Sequence, residues 1–140
     1  MMKSRMPFRL FLTVSVSLIL IGAAPTASAA KPVVVASTTQ IADFARQVAG
    51  DRCKVKCILA PGADPHTYQP TPVDVHIVLG ADLCLENGLH LEGKNWMATL
   101  AKDAGKPIVT CTNGIQALEI EETGQRVPDP HAWFSPRNAA

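Results

Sequence analysis

Aromatic side chains and excess positive charge are both scarce in this chain. Among 140 residues, aromatics make up 5%, with a single Tyr, and 13 Lys and Arg stand against 12 Asp and Glu. No basic face with interleaved aromatics can be built from that composition, which argues against nucleic acid as a partner. Two signatures of catalysis are missing as well: there is no His-Glu-x-x-His helix and no Gly-x-Ser-x-Gly elbow. Internal repeats are absent, and there is no low-complexity tract beyond the N-terminal segment. What the chain does have is a 47% share of apolar residues, enough to build a core at this length.

The N-terminus carries Lys3, Arg5 and Arg9, then the apolar run from Leu10 to Ala24, then Pro25 and the small residues Thr26-Ala27-Ser28-Ala29-Ala30. This is the layout of a secretory signal peptide, with Ala27-x-Ala29 satisfying the small-residue rule for cleavage. The run is shorter than the roughly 20 residues of a spanning helix, and Thr13, Ser15 and Ser17 interrupt it, so removal is expected rather than retention as an anchor. Residues 1–30 are therefore read as a leader and 31–140 as the mature domain, located in the periplasm or at the cell exterior. No Cys sits at the cleavage site, so lipidation there is not expected. Export also permits disulfides among Cys53, Cys57, Cys84 and Cys111, but sequence leaves their pairing open.

Beyond the leader, short β-branched runs alternate with amphipathic stretches. Pro32 to Ser37 reads as a strand buried on both faces. Ile41, Phe44, Ala45 and Val48 then repeat at helical spacing, with Thr38 or Thr39 to cap and Gly50 to stop. Val55 to Leu59 is a second strand, and Thr71-Pro72-Val73-Asp74 opens a second helix with Val75, Val78 and Leu79 as its buried stripe. Asp82 to Glu86, a helix marked by Trp96, Leu100 and Ala101, and Pro107 to Cys111 complete the alternation. The order predicts an α/β fold with an open parallel four-stranded sheet and flanking helices. After Gly114 the pattern gives way to an expected polar loop through Glu119, Glu121 and Glu122. Ser135-Pro136-Arg137-Asn138 reads as a new helix being capped.

The chemistry concentrates in two short phrases. Asp64-Pro65-His66 lies in the connection after the second strand, with Pro70 and Pro72 stiffening the backbone that follows. Asp129-Pro130-His131 stands just before the last helix start. A lone loop histidine is most often an ordinary polar residue. Two Asp-Pro-His phrases, each in a connection after a strand, make His66 and His131 candidate ligands of one metal ion, since neutral imidazole is the commonest metal donor. Asp64 and Asp129 are either acceptors that orient the rings or simple turn formers. His76 falls off the helix stripe and His90 follows the third strand; neither is assigned a ligand role.

At this point the residues resemble the metal-binding solute-binding proteins of bacterial zinc, manganese and iron ABC importers. The resemblance rests on Ser37-Thr38, on Pro61 to His66 with Pro70-Thr71-Pro72 following, on Ala81-Asp82-Leu83, on Asn87-Gly88-Leu89-x-Leu91-Glu92 and on Pro130-His131-Ala132-Trp133. It implies two α/β lobes with a transported divalent ion (Mn2+, Zn2+ or Fe2+) between them, His66 and His131 being the ligands of the N-terminal lobe. Residues 31–140 then form that lobe of a truncated receptor whose second lobe is missing. The segment Glu119 to Asp129 holds no His, whereas zinc members often carry a His-rich insertion there; the short loop and the wording His131-Ala132-Trp133-Phe134-Ser135-Pro136 resemble the manganese or iron branch, so the resemblance favours manganese, with zinc or iron as alternatives. The expected function is extracytoplasmic capture of the ion by a monomer and its delivery to an ABC permease of the inner membrane, with no reaction catalysed. The rival readings are a metal-dependent hydrolase and an adhesin-like surface protein.

Overall fold

The computed structural model describes residues 30–122 and 124–139. Apart from Ala30, the leader read over residues 1–30 lies outside them. Among the described residues no helix is long and apolar enough to cross a membrane.

Four strands, β1 (Val33–Ala36), β2 (Lys54–Cys57), β3 (Leu83–Glu86) and β4 (Ile108–Thr110), form a parallel sheet in the order β2-β1-β3-β4. Between them run α1 (Thr39–Ala49), α2 (Pro72–Leu79) and α3 (Trp96–Asp103). The expected fold is thus the observed one. Because successive strand side chains point to opposite faces, β1 sorts the two halves of the core. Val35 packs with Leu59, Val78, Cys84 and Met97 among α2 and α3, and Ala36 packs with Ile41 and Ala42 of α1.

Capping follows the sequence closely. The Thr38 hydroxyl accepts from the Ile41 N–H, and α1 stops at Gly50, whose φ of 52° suits glycine. At α2, Asp74 takes the Thr71 N–H and hydroxyl at 2.7 and 2.9 Å, which closes a capping box with Pro72 in the first turn.

Three expectations need correction. On α1 the buried positions are Ile41 and Ala42, with Phe44 packed partly against them, while Val48 is 76% exposed. An 11-residue helix of about 16 Å outruns four-residue strands of about 13 Å, so its last turn lies in solvent. On α2, Val78 is buried and Ile77 packs on the core, but Val75 and Leu79 are exposed. The bonds that draw Asp74 inside turn the helix about its axis, and Val78, one turn on, follows Asp74 inward. The polar loop is the third correction. Residues Glu119–Glu122 (β5) and Gln125–Pro128 (β6) form an antiparallel hairpin with Ile120 opposite Val127. Its side chains are mostly exposed, so no burial pattern marked it; the ladder pairs the backbone groups that face the partner strand, and the outward-facing ones are left to solvent.

Beyond the hairpin, a 3-10 turn at Ala132–Phe134 leads into α4 (Pro136–Ala139), where the sequence had placed a helix start. All four thiols are free: Cys84 is buried, Cys53 and Cys57 half-buried, and Cys111 exposed.

Candidate metal centre

His66 rides on the connection from β2 to α2, and that connection is pinned at several points. Asp64 accepts the His66 backbone N–H at 2.9 Å and the Thr67 hydroxyl at 2.8 Å, an Asx turn that sets the chain direction. These donors hold the Asp64 carboxyl below its ordinary range. The Trp96 indole N–H donates to the Pro65 carbonyl at 3.0 Å, and the Tyr68 ring packs on the Trp96 ring with centroids 5.0 Å apart. Tyr68 in turn donates its hydroxyl to Asp74 at 2.7 Å. The loop is therefore fastened to the starts of both α2 and α3.

Burial, with the Asp74 carboxylate accepting the phenolic proton, pushes the Tyr68 hydroxyl from 10.0 up to about 12. A group raised on folding contributes stability that is complete below its unfolded value and is lost as pH climbs through the folded value. The unfolding midpoint is therefore expected to fall between pH 10 and about 12, and Tyr68→Phe should flatten that part of the profile. Identical alkaline profiles for both proteins would contradict the assignment.

His131 is held differently. Asp129 Oδ1 accepts both the His131 backbone N–H, at 2.9 Å, and its ring Nδ1, at 2.8 Å. An ionised carboxylate can only accept, so Nδ1 carries the proton and Nε2 keeps its lone pair for a metal. The same contacts, the backbone bond first, lower the Asp129 carboxyl. The two Asp-Pro-His phrases are thus not equivalent: Asp64 shapes the turn, whereas Asp129 shapes the turn and orients the ring. On either side of His131, the Asn87 amide donates to the Pro130 carbonyl at 2.9 Å and the Asn138 amide to the Ala132 carbonyl at 3.0 Å.

The fold brings the two imidazoles together. Their centroids lie 5.9 Å apart with planes at 62°. Imidazole nitrogens bind first-row ions at about 2.1 Å, which sets two rings on one tetrahedral ion roughly 5.4 Å apart between centroids. The observed centroid separation lies about 0.5 Å above that spacing. Both rings line a cleft of about 300 Å³ together with Thr38, Leu59, Ala63 and Leu91. That cleft lies past the carboxyl ends of β1, β2 and β3. Strand order reverses between β1 and β3, the place where open α/β sheets bind ligands.

Among the described residues no group of three or more His, Cys, Asp or Glu converges on one point. Among the described residues, the histidines that line the cleft are His66 and His131. His76 is exposed on the wall of a separate hollow between α2 and α3, and His90 is exposed at φ 64°; neither lines the cleft.

The sequence did not disclose what lies behind the site. Glu92 is 2% exposed and accepts from the Ser37 hydroxyl at 2.6 Å and from the N–H groups of Asn87 and Gly88 at 2.7 and 3.0 Å. Burial raises the neighbouring Glu86 carboxyl, against the opposing bond from Thr110 and with help from the Glu92 charge. In the sequence Asn87-Gly88 and Glu92 stood out only as part of the motif that carries the resemblance. A buried polar role could be suspected from Glu92 directly after Leu91, but its partners are too distant in sequence to be read.

Residues 34–140 match the family profile ZnuA, the periplasmic zinc-uptake complex component A. The chain is 42% identical over 119 residues to the iron-binding protein YfeA of Yersinia pestis, covering 82% of this chain and 37% of that protein. It is 34% identical over 124 residues to the manganese ABC transporter substrate-binding lipoprotein PsaA of Streptococcus pneumoniae, covering 84% of this chain and 40% of that one. Among solved structures, the periplasmic zinc-binding protein TroA of Treponema pallidum superimposes with a TM-score of 0.66 at 36% identity, over 78% of this chain and 40% of that chain. The Mn-bound periplasmic metal-binding protein of Candidatus Liberibacter asiaticus does so with a TM-score of 0.66 at 39% identity, over 78% and 41%. The chain spans about two fifths of the length of these relatives.

Proposed function

The chain belongs to the ZnuA family of metal-uptake components, and on that premise we propose that it captures a divalent first-row metal ion outside the cytoplasm for delivery to an ABC permease of the inner membrane. The observation that carries this reading is the pair of imidazoles 5.9 Å apart, one of them presenting Nε2 because Asp129 holds its Nδ1 proton. His66 and His131 are the ligands from this lobe. The remaining positions are filled by a second lobe of the kind the resemblance implies, and by water until that lobe closes.

Manganese is the favoured cargo, with iron and zinc as competitors. Support comes from the short segment Glu119 to Asp129, which carries no His, and from relatives named for iron and manganese. Affinity order alone runs the other way, since imidazole sites hold zinc more tightly than manganese. Selection of manganese therefore has to come from ligand number and geometry, which two imidazoles do not complete.

A hydrolase reading needs three protein ligands, a metal-bound water and a nearby general base. The cleft offers two imidazoles; Asp64, which lines it, is engaged in a turn, and Asp129 is engaged in holding His131. The test is calorimetric titration of the chain with Mn2+ and Zn2+, beside esterase and peptidase assays with each metal. Binding heat with background turnover is expected; metal-dependent turnover would overturn the receptor reading.

A further inference from the structure

Beyond the two ligands, we propose that the turn Asn87–Gly93 is a clamp that grips both ligand-bearing loops and so sets the spacing between His66 and His131. The inference rests on the metal-site reading above. One end of the turn holds the His131 loop: the side chain of Asn87, itself 1% exposed, donates to the Pro130 carbonyl, one residue before the ligand. The other end holds the His66 loop. A Cβ on Gly93 would overlap the carbonyl oxygen of His66, so only glycine allows this backbone to lie against the ligand residue itself, and its φ of 48° adds a second reason for glycine. Just past the turn, Trp96 bonds the Pro65 carbonyl.

A clamp works only if it is rigid, and this one is fastened from inside. Glu92 gathers the N–H groups of Asn87 and Gly88 together with the Ser37 hydroxyl, tying the turn to the end of β1. The Thr112 hydroxyl and N–H both donate to the Asn87 carbonyl, at 2.6 and 3.1 Å, tying it to the end of β4. Gly88, Leu89 and His90 all take positive φ, at 85°, 53° and 64°. For Leu89 and His90 that conformation is unfavourable, and it persists only where surrounding contacts over-determine it. Metal affinity is sensitive to such support, because ligands must be held within about 0.5 Å of their working positions.

In this reading Asn87 and Gly93 are positioning residues, each acting on a different ring. The test compares Asn87→Ala and Gly93→Ala in the full chain, first without metal, by long-range proton–nitrogen NMR of the imidazoles at one fixed pH. Asn87→Ala is expected to shift the His131 ring signals and leave His66 in place. Gly93→Ala is expected to do the reverse. If Gly93→Ala does not fold, Trp96→Phe, which removes the bond to Pro65, replaces it and should shift His66 alone. Titration with Mn2+ and with Zn2+ should then show affinity lowered by about 10-fold to 100-fold in each folded variant, the usual cost of losing an outer-shell support. Unmoved ring signals, or moved signals with unchanged affinity for both metals, would overturn the clamp. If the parent chain binds neither metal, it is the metal-site reading that fails, and the metal-free spectra still decide whether the turn positions the rings.

Discussion

Replacing either His66 or His131 by alanine should lower the affinity of this chain for Mn2+ and Zn2+ more than any other single change, and replacing both should abolish specific binding. In the proposed site each substitution removes one of the two donors that the described residues offer. The loss should therefore exceed the roughly 10-fold to 100-fold that follows removal of an outer partner. Calorimetry of the two single variants and the double variant checks this, with circular dichroism to verify the fold. Both side chains are at least partly exposed, so stability should change little. Binding unchanged in both single variants would refute the site. Asp129→Ala should cost about 10-fold to 100-fold, because it frees the His131 ring to turn and to exchange its proton between nitrogens. The lowered carboxyl fixes the pH sense: the ring-orienting bond is complete above the ordinary carboxylate range and fails only as pH falls through the lowered value.

The second large effect concerns stability. Glu92→Ala is expected to destabilise the domain by about 1–3 kcal/mol for each buried donor it strands, namely the Asn87 N–H and the Ser37 hydroxyl, with the part-buried Gly88 N–H adding to the loss. Small domains have only about 5–15 kcal/mol in total, so the variant should unfold at a much lower urea concentration. Glu92→Gln keeps one acceptor oxygen and should lose distinctly less. A midpoint unchanged within error for Glu92→Ala would mean that the carboxylate is dispensable, and would weaken the clamp argument with it.

Membership of the ZnuA family gives these predictions their functional setting, and the residues behind them differ in how far sequence alone could reach. His66 and His131 were legible because each sits in a short phrase, Asp-Pro-His, whose turn chemistry is local. The caps of α1 and α2 were legible for the same reason: Thr38 and Thr71 act within one helical turn. Val75 and Leu79 were misassigned to the buried stripe because helix rotation was set by Asp74, whose third donor is the Tyr68 hydroxyl of the preceding loop. The hairpin of β5 and β6 escaped notice because its faces are solvated, so no alternation of burial left a trace in the residues.

The sequence by itself determined the alternation of strands and helices, their caps and stops, and the two histidines, since each depends on interactions within a few residues. Only the tertiary structure decided that His66 and His131 face one cleft, that Glu92 is buried, and that one turn touches both histidine loops. Those facts depend on strand order, which brings β1 and β3 side by side and gathers distant connections at one edge of the sheet. A hydrogen bond such as that from Asn87 to Pro130 spans 43 residues, and nothing in either segment specifies the other until the sheet has formed.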